Sequence, residues 1–216
     1  LKRNAKFAFE YLGYFSNLNK RMVMETAFGS LATAHSLKSN FKLNNAINDR
    51  VKVLRKLKGN TNLRQRKYEL LTYLPDLLMR QDKMSMAHSI ENRVPFLDNN
   101  LVSTSLNISG DLLIAQHNGK DENKVLLKDI CATKFGEDFA YRDKMGFGIP
   151  LREFFSSSVF IEKWNSKIEP GIQKRGLFNI TELSSWINNI ANASPDQMDA
   201  IWLMLGFELW AQHYLD

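Results

Sequence analysis

Two cations lie three residues apart in the stretch MRQDKMSMAHSIENRVPFLD, which runs from Met79 to Asp98. Arg80 and Lys83 fall on one face of any helix formed there, because residues three apart are neighbours on a helix surface. Two adjacent positive charges repel each other unless an anion or a carboxylate lies between them. The pair can therefore bind an anion, although a solvated basic face is the simpler interpretation of the spacing alone.

A third cation, Lys144, lies in the segment YRDKMGFGIPL, residues 141 to 151. Two glycines flank Phe147 and a proline follows, which predicts a loop whose backbone can come close to a ligand. A lysine on such a loop can bring a compact positive charge to a phosphate, or to charge that develops in a transition state. Without further information, a surface lysine beside a turn is the simpler interpretation.

Between these cations, Glu91 and Arg93 precede the turn VPFLD. Pro95 is predicted to end the helix, and Asp98 is predicted to cap the next one at NNLVSTSL. We predict a structural role for Glu91 and Arg93, as a buried charged pair that holds the helix end against the loop. On the same helix, packed by Leu, Gln and Met side chains, His88 is expected to be a satisfied core residue.

Motifs that the sequence lacks exclude several classes of site. It contains no GxxxxGK[ST], GxGxxG, HExxH or GxSxG, and its histidines have no spacing typical of metal ligands, so no metal site is predicted. Cys131 alone cannot form an internal disulfide and is expected to be a small core residue of a helix. The run KLKGNTNLRQRK could contact phosphates, but it lacks interleaved aromatics and matches no nucleic-acid-binding module.

Helical patterns dominate the elements that must position these residues. Ser194 is a natural N-cap, and Gln197 completes a capping box in front of the last helix. Strand patterns are scarce, with no long alternating run and no Asn-Gly hairpin between β-branched segments. Helices are also expected over the first 27 residues, on both sides of a loop at Gly59 and Asn60, from near Asp121 and after an Asn179 cap; the apolar stripe of the last helix is Met198, Ile201, Trp202, Leu205 and Leu209.

Composition sets outer limits on the protein. Its 216 residues, 44% of them hydrophobic, suffice for one large domain or a domain with an appendage. The net charge of +6 suits an anionic partner without choosing among nucleic acid, phosphorylated metabolites and a membrane surface. The sequence has no apolar run long enough to span a membrane and no signal-peptide pattern, which favours a cytoplasmic protein. The first residue is Leu rather than Met, which suggests a chain cut from something longer.

Three motifs in a fixed order resemble one known family. The run LPDLLMRQDKMSMAHSIENRVPFLDNNLV, then ENKVLLKDI, then YRDKMGFGIPL closely resembles the C-terminal synthetase domain of glutamine-hydrolysing asparagine synthases, and FELWAQHYL resembles the family's last helix. The likeness is strong over residues 70 to 155 and weak over the first 65. It implies a mainly α-helical fragment of an α/β synthetase fold of the adenine nucleotide alpha hydrolase-like, PP-loop ATP pyrophosphatase type. Its parts would be a helical lead-in (1–65), a motif-bearing core (70–155) and C-terminal helices (156–216).

The resemblance also implies a reaction and residues that take part in it. Enzymes of this family use ATP, Mg²⁺ and aspartate to form a β-aspartyl-AMP intermediate, which ammonia from an N-terminal glutaminase domain converts to asparagine. Arg80 matches the family arginine that contacts the phosphate region, and Lys144 matches the lysine of its R-x-K-x-x-F loop. Lys83 aligns with a position that is basic in the family, which suggests a further cofactor contact. The E-x-RVPFLD signature, which is expected to shape the site, is matched by Glu91, Arg93 and Asp98.

Departures from the family pattern limit these expectations. The sequence lacks the nucleotide loop SGGxDS, the acidic SGxGxDE segment and the cysteine nucleophile of the glutaminase domain, which Cys131 cannot replace. We therefore expect ATP and Mg²⁺ to be bound mainly by segments that this chain lacks, and the chain alone to be inactive. Its expected partners are the glutaminase domain and the nucleotide-loop segment of the same enzyme, with ATP and aspartate as substrates and with neither membrane nor nucleic acid.

Two alternatives remain open. Relatives with the same helix and lysine loop close β-lactam rings or amidate other carboxylates, so the substrate could differ from aspartate. From a different class of function, a basic helical module could bind nucleic acid or another anion.

The nucleic-acid alternative makes its own prediction. A basic binding module should bind mixed-sequence DNA or RNA with strong salt dependence, because it would release counterions from the phosphates. Neutralising Lys52, Arg55, Lys56 and Lys58 should then abolish binding, whereas Lys144→Ala should not affect it. Titrations at several salt concentrations measure both effects, and the absence of salt-dependent binding would exclude this alternative.

Overall fold

Helices make up most of the described chain, as the periodicity of its apolar residues predicts. The computed structural model describes residues 17–24, 33, 36, 43–143 and 148–216. These divide into a first unit, Leu1–Lys52 with Gly148–Asp216, and a second unit, Val53–Phe147. In the part of the chain that the structure describes, no helix is both long enough and apolar enough to span a bilayer.

The elements follow one another in this order. The helices are α1 (Leu18–Met24), α2 (Leu43–Lys56), α3 (Thr61–Thr72), α4 (Leu74–Met86), α5 (Asn99–Asn107), α6 (Val125–Phe135), α7 (Glu137–Ala140), α8 (Leu151–Ser156), α9 (Ser158–Lys163), α10 (Glu169–Arg175), α11 (Ile180–Asn188) and α12 (Pro195–Tyr214). A π-helical turn, Trp164–Ile168, joins α9 to α10, and 3-10 turns cover Pro95–Leu97, Gly110–Leu112 and Ile190–Asn192. The strands β1 (Ile114–His117) and β2 (Lys120–Asn123) lie between α5 and α6.

The first unit encloses an aromatic and aliphatic core between α8 and α12. Arg152 on α8 closes one end of this core, because its guanidinium donates to the carbonyls of Ile190, Ala191 and Ala193. Those bonds satisfy carbonyls around the 3-10 turn that precedes α12. The core residues are Phe155, Phe160, Trp164, Ile168, Ile172, Phe178, Leu183, Trp186, Ile187, Ile190, Ala193, Ala200, Ile201, Met204 and Leu205.

The start of α12 is confirmed, but its buried face differs from the predicted stripe. Ser194 and Gln197 form the predicted capping box. Trp202 and Leu209, which we expected to face the core, are 37% and 50% exposed. The helix is rotated so that a glutamate lies on its buried side; the buried residues of α12 are Ala200, Ile201, Met204, Leu205, Glu208 and Ala211.

Glu208 is fully buried and is balanced by one cation. Its Oε2 accepts from Arg175 Nε at 2.7 Å, and its Oε1 accepts from Gln212 Nε2 at 2.9 Å. Arg175 also pairs with Asp216, at 2.7 Å. Gly171, on α10, makes room for this carboxylate, because a Cβ built there would lie 2.0 Å from Glu208 Oε1. The ion pair therefore fixes α10 against α12.

The second unit contains a hairpin that we did not predict. Strands β1 and β2 pair antiparallel, with His117 opposite Lys120. Asn118 and Gly119 join them with φ values of 49° and 77°, as a type I′ turn requires. The expected helix near Asp121 is therefore wrong in its start, because this residue belongs to β2 and α6 begins at Val125.

Local capping rules locate the remaining helix starts. The predicted loop at Gly59 and Asn60 is confirmed, and the Asn60 side chain caps α3 by accepting from the Leu63 amide at 2.9 Å. Helix α11 begins after Asn179 as expected, although that side chain makes no capping bond. Of the first 27 residues only 17 to 24 are described, and α1 covers Leu18–Met24 of them.

The glycine beside Glu208 yields a prediction of unusual sign. Gly→Ala in a helix interior ordinarily stabilises by about 1 kcal/mol, because alanine has the higher helix propensity. Gly171→Ala should instead destabilise the first unit by about 2 to 4 kcal/mol, since the new methyl group displaces a buried, ion-paired carboxylate. Urea unfolding followed by tryptophan fluorescence measures this unit, which contains all four tryptophans of the chain.

Gly206→Ala on α12 is the matched control. No heavy atom lies within 4 Å of a Cβ built at Gly206, so this substitution should be neutral or stabilising. An equal gain in stability for both variants would contradict the packing of Glu208 against Gly171.

Candidate active site

Helix α4 carries the first two predicted cations on its surface. Arg80 Nη2 lies 2.8 Å from Asp76 Oδ2, one turn earlier on the same helix, and both side chains are exposed. Asp76 thereby relieves the repulsion expected between Arg80 and Lys83. Lys83 is also exposed and forms no ion pair with any residue that the structure describes. The placement of both cations on a helix is confirmed, whereas their contact with phosphate stays a prediction.

The same helix ends nine residues before Pro95, so the predicted helix end is wrong. Helix α4 ends at Met86, followed by a turn in which Ile90 N donates to Ser85 O at 3.1 Å. Ser89 has a φ of 58° and takes the left-handed position that glycine usually fills in this C-terminal motif. The chain therefore leaves the helix at Ser89, and proline restricts only the 3-10 turn that follows.

Glu91 and Arg93 form the predicted ion pair, but not a buried one. Arg93 Nη2 lies 2.8 Å from Glu91 Oε1, with the two side chains 83% and 68% exposed. The pair lies on irregular chain after Ser89, where no described residue covers it. An exposed pair of this kind contributes at most about 1 kcal/mol, so it cannot hold the turn as a buried pair would. Its role in shaping a site stays a prediction.

Asp98 caps α5 as predicted. Its Oδ1 accepts from the amides of Asn100 and Leu101, at 2.9 and 3.2 Å. These bonds satisfy amides that the first turn of a helix leaves without partners. The 3-10 turn of the RVPFLD motif therefore has a fixed connection to α5.

The apolar side chains around these residues face solvent. No described residue between 71 and 143 is buried, including the expected core histidine, His88, and every residue of α4. Met84 and Phe96 are among the most exposed apolar side chains, and Met79, Met86 and Ile90 are also exposed. The expected packing of α4 is therefore wrong for most of the helix, because only Leu74 and Leu78 of its apolar side chains are half-buried and none is buried.

The last predicted cation, Lys144, lies outside the described residues. Arg142 and Asp143, which directly precede it, line a cleft of about 940 Å³ in the second unit. Residues of β2 and α6, and Lys124 between them, also line this cleft, among them Lys128 and Cys131. Cys131 is half-buried at this cleft rather than a core residue.

The cations of the cleft differ in whether a carboxylate already pairs with them. Lys128 forms an ion pair with Glu122, and its hydrogen bond to that carboxylate lowers the pKa of Glu122. Arg142 lies 4.1 Å from the centroid of the Phe139 ring and donates to the Phe139 carbonyl. Lys124 has a φ of 61° and no ion pair with a described residue. Lys124 and Arg142 are thus the cleft cations available to an anionic ligand.

Tyr141 lies between the lining residues Ala140 and Arg142 and contacts both α6 and β1. Its hydroxyl donates to Asp129 Oδ1 at 2.5 Å, and its ring stacks on the His117 ring with centroids 3.6 Å apart. The hydrogen bond to the Asp129 carboxylate, with smaller contributions from desolvation and nearby charges, raises the pKa of Tyr141 to about 12.

A family model described as asparagine synthase matches residues 2 to 212, nearly the whole chain. The chain belongs to the asparagine synthase family. The family resemblance predicted from the sequence motifs is thereby confirmed. The family match extends over nearly the whole chain, whereas the chain covers only part of its curated relatives.

Two curated relatives illustrate that difference. The putative glutamine-hydrolysing asparagine synthetase of Mycobacterium tuberculosis (strain ATCC 25618 / H37Rv) is 28% identical over 148 residues, which are 68% of this chain and 22% of that protein. The glutamine-hydrolysing asparagine synthetase 1 of Bacillus subtilis (strain 168) is 28% identical over 135 residues, 62% of this chain and 20% of that protein. The chain thus spans about a fifth of the length of the curated relatives it matches. No solved structure matches the chain.

Within this family context, the structure adds cations that the sequence did not single out. The motif ENKVLLKDI contains Lys124, which directly precedes α6, and Lys128 in its first turns, and both line the cleft. The Asn118-Gly119 turn before this motif predicts a hairpin, and recognising it would have placed the start of the next helix close to both lysines. Among the described side chains, no three of His, Cys, Asp or Glu are grouped as a metal site requires.

The hydrogen bond of Tyr141 predicts an alkaline titration. The folded pKa is raised above the unfolded value of about 10, so the neutral phenol is the form that folding favours. The stabilisation is fully present below about pH 10 and is lost as the pH rises through 12. Phenolate absorbance, taken as the difference between wild type and Tyr141→Phe, should show a midpoint near 12.

Asp129→Leu tests the cause of this shift. Removal of the carboxylate should return the Tyr141 midpoint to about 10, the ordinary value of a tyrosine. A midpoint near 10 already in the wild type would contradict the hydrogen bond.

Proposed function

We propose that this chain is part of a glutamine-hydrolysing asparagine synthase. In the proposed reaction, a carboxylate oxygen of aspartate attacks the α-phosphorus of ATP and pyrophosphate leaves. Ammonia released from glutamine then attacks the acyl carbon of the β-aspartyl adenylate, and asparagine and AMP result. The match of the family model over residues 2 to 212 carries this proposal. The names of the two curated relatives support it.

The exposed cations of the second unit suit the charge that this reaction develops. Negative charge grows on the α-phosphate and on the departing pyrophosphate as the adenylate forms. Fixed positive side chains lower the barrier when they lie where that charge appears. We propose this role for Arg80 and Lys144, with Lys83 as a further phosphate contact. The cleft geometry supports adding Lys124 and Arg142 to this group, because both line it without a carboxylate partner.

Asp76 is a built-in competitor for the phosphate. In the absence of a ligand, its carboxylate forms an ion pair with the Arg80 guanidinium, with 2.8 Å between Oδ2 and Nη2. Because this pair is exposed, its loss costs little, and a doubly charged phosphate group can replace one carboxylate. Arg80 is thus held on the helix surface until a stronger anion binds.

The described residues include no group of three or more His, Cys, Asp or Glu side chains that could hold a metal ion, whereas Lys124 and Arg142 line the cleft without a carboxylate partner. We therefore propose that Mg²⁺ and most of the nucleotide contacts come from a nucleotide-loop segment and that ammonia comes from a glutaminase domain, both in the same enzyme. In this proposal the chain supplies the helical side of an α/β PP-loop synthetase fold, with its motif-bearing core at residues 70 to 155. Glu91, Arg93 and Asp98 would shape the site rather than react.

Exchange of labelled pyrophosphate into ATP tests the adenylation step. The complete natural polypeptide should catalyse this exchange only when aspartate is present. Lys144→Ala should reduce it by about 10²- to 10³-fold, as expected for the loss of one group that stabilises transition-state charge. Arg80→Ala should act in the same direction. The 216-residue chain alone, which lacks SGGxDS, should show no exchange.

Lys134→Ala is the control, because Lys134 is an exposed lysine at the end of α6 that does not line the cleft. It should retain the wild-type rate, and circular dichroism should show that all variants fold alike. A wild-type rate of exchange in Lys144→Ala would contradict the proposed role of Lys144 in stabilising charge on the phosphates. Exchange that depends on a carboxylate other than aspartate would replace the proposed substrate.

A further inference from the structure

Tyr141 is the residue at which three elements of the second unit meet. It follows the last residue of α7, its hydroxyl donates to Asp129 on α6 at 2.5 Å, and its ring stacks on His117 at the end of β1. The two ring planes differ by only 6°. Lys128 Nζ lies 5.1 Å from the centroid of the Tyr141 ring. One side chain therefore ties helix, hairpin and the following segment together.

These contacts fix the direction of Tyr141 more than they bury it. No described residue between 71 and 143 is buried, so a hydrophobic core does not hold this ring in place. A hydrogen bond to a carboxylate is short and directional, and a parallel ring stack restricts the tilt of the ring. Together they fix both the position and the plane of the phenol.

The fixed position of Tyr141 matters because this residue directly precedes two residues that line the cleft. Arg142 and Asp143 follow it directly, and both line the cleft together with Lys124, which precedes α6, and Lys128 of α6. Asp129 is the neighbour of Lys128 in sequence. The bond between Tyr141 and Asp129 thus joins the residue before Arg142 to the residue after Lys128.

We propose that Tyr141 and Asp129 are positioning residues that hold Arg142 and Asp143 at their productive distance from α6. This inference rests on the proposed function, because it assigns the cleft cations to the reacting phosphates. Neither side chain touches the substrate in this account. They act through the cations beside them, and displacement of such groups by about 1 Å can lower a rate by about 10²-fold.

Three variants separate positioning from simple stability. Tyr141→Phe keeps the ring stack and removes the hydrogen bond. Asp129→Asn keeps an acceptor for the hydroxyl, whereas Asp129→Leu removes it. In aspartate-dependent pyrophosphate exchange by the complete natural polypeptide, Tyr141→Phe and Asp129→Leu should lower kcat by about 10- to 100-fold, with KM for ATP changed less than about threefold. Asp129→Asn should restore most of the rate, and the double variant Tyr141→Phe with Asp129→Leu should be no worse than either single change.

A second measurement does not depend on catalysis. Hydrogen–deuterium exchange of the Arg142 and Asp143 amides should become faster in Tyr141→Phe and Asp129→Leu, and should remain at the wild-type rate in Asp129→Asn. Tyr73→Phe is the control for both experiments. Tyr73 is an exposed tyrosine before α4 whose hydroxyl has no hydrogen-bond partner among the described residues.

The outcomes distinguish this inference from the proposed function. Unchanged amide exchange in Tyr141→Phe would overturn the positioning role whether or not the wild type is active. A wild-type kcat in Tyr141→Phe would also overturn the positioning role. The same holds if kcat falls no further than the fraction of folded protein. A wild type without aspartate-dependent pyrophosphate exchange, but with the expected amide exchange in the variants, would overturn the proposed function alone.

Discussion

The carboxylate of Glu208 is out of contact with water, and the first unit is arranged to balance its charge. A buried carboxylate costs several kcal/mol unless a cation and further donors satisfy it. Arg175 and Gln212 supply those donors, and Gly171 leaves the space that the carboxylate fills. The distance between α10 and α12, and the rotation of α12 about its own axis, are therefore fixed by this ion pair. The aromatic core packs against the two helices in that arrangement.

The second unit depends on a different kind of interaction. Directional polar contacts define its geometry: Asn60 and Asp98 cap helices, and Arg66 of α3 donates to the carbonyls of Ser105 and Ile108 at the end of α5. Each such bond contributes about 1 kcal/mol net, so none of them dominates. An arrangement of this kind leaves its cations on the surface, where a ligand can reach them. It also makes the site sensitive to the loss of single hydrogen bonds.

Local rules of sequence predicted the features that depend on a few neighbouring residues. The cap of α12 and the cap by Asp98 follow from side chains that satisfy amides two or three residues away. The end of α4 was missed because a serine in the left-handed conformation carries no pattern that distinguishes it from a helical serine. The rotation of α12 was missed because the burial of Glu208 depends on Arg175, 33 residues earlier. An apolar stripe indicates that a helix surface can be covered, but it does not show which residues cover it. The sequence therefore could not predict that α4 is exposed among the described residues.

The exposed apolar side chains of the second unit also govern how separate copies of the chain interact in solution. Met84, Phe96 and Phe135 each keep more than half of their surface in water, at a cost of roughly 25 cal/mol for each Å² of apolar area. The net charge of +6 opposes contact between copies, but only within the Debye length, which is about 10 Å at 0.1 M salt. Ionic strength therefore sets the balance between repulsion and adhesion. We therefore expect dilute buffer to keep copies of the chain apart and strongly excluded salts such as sulfate to bring them together.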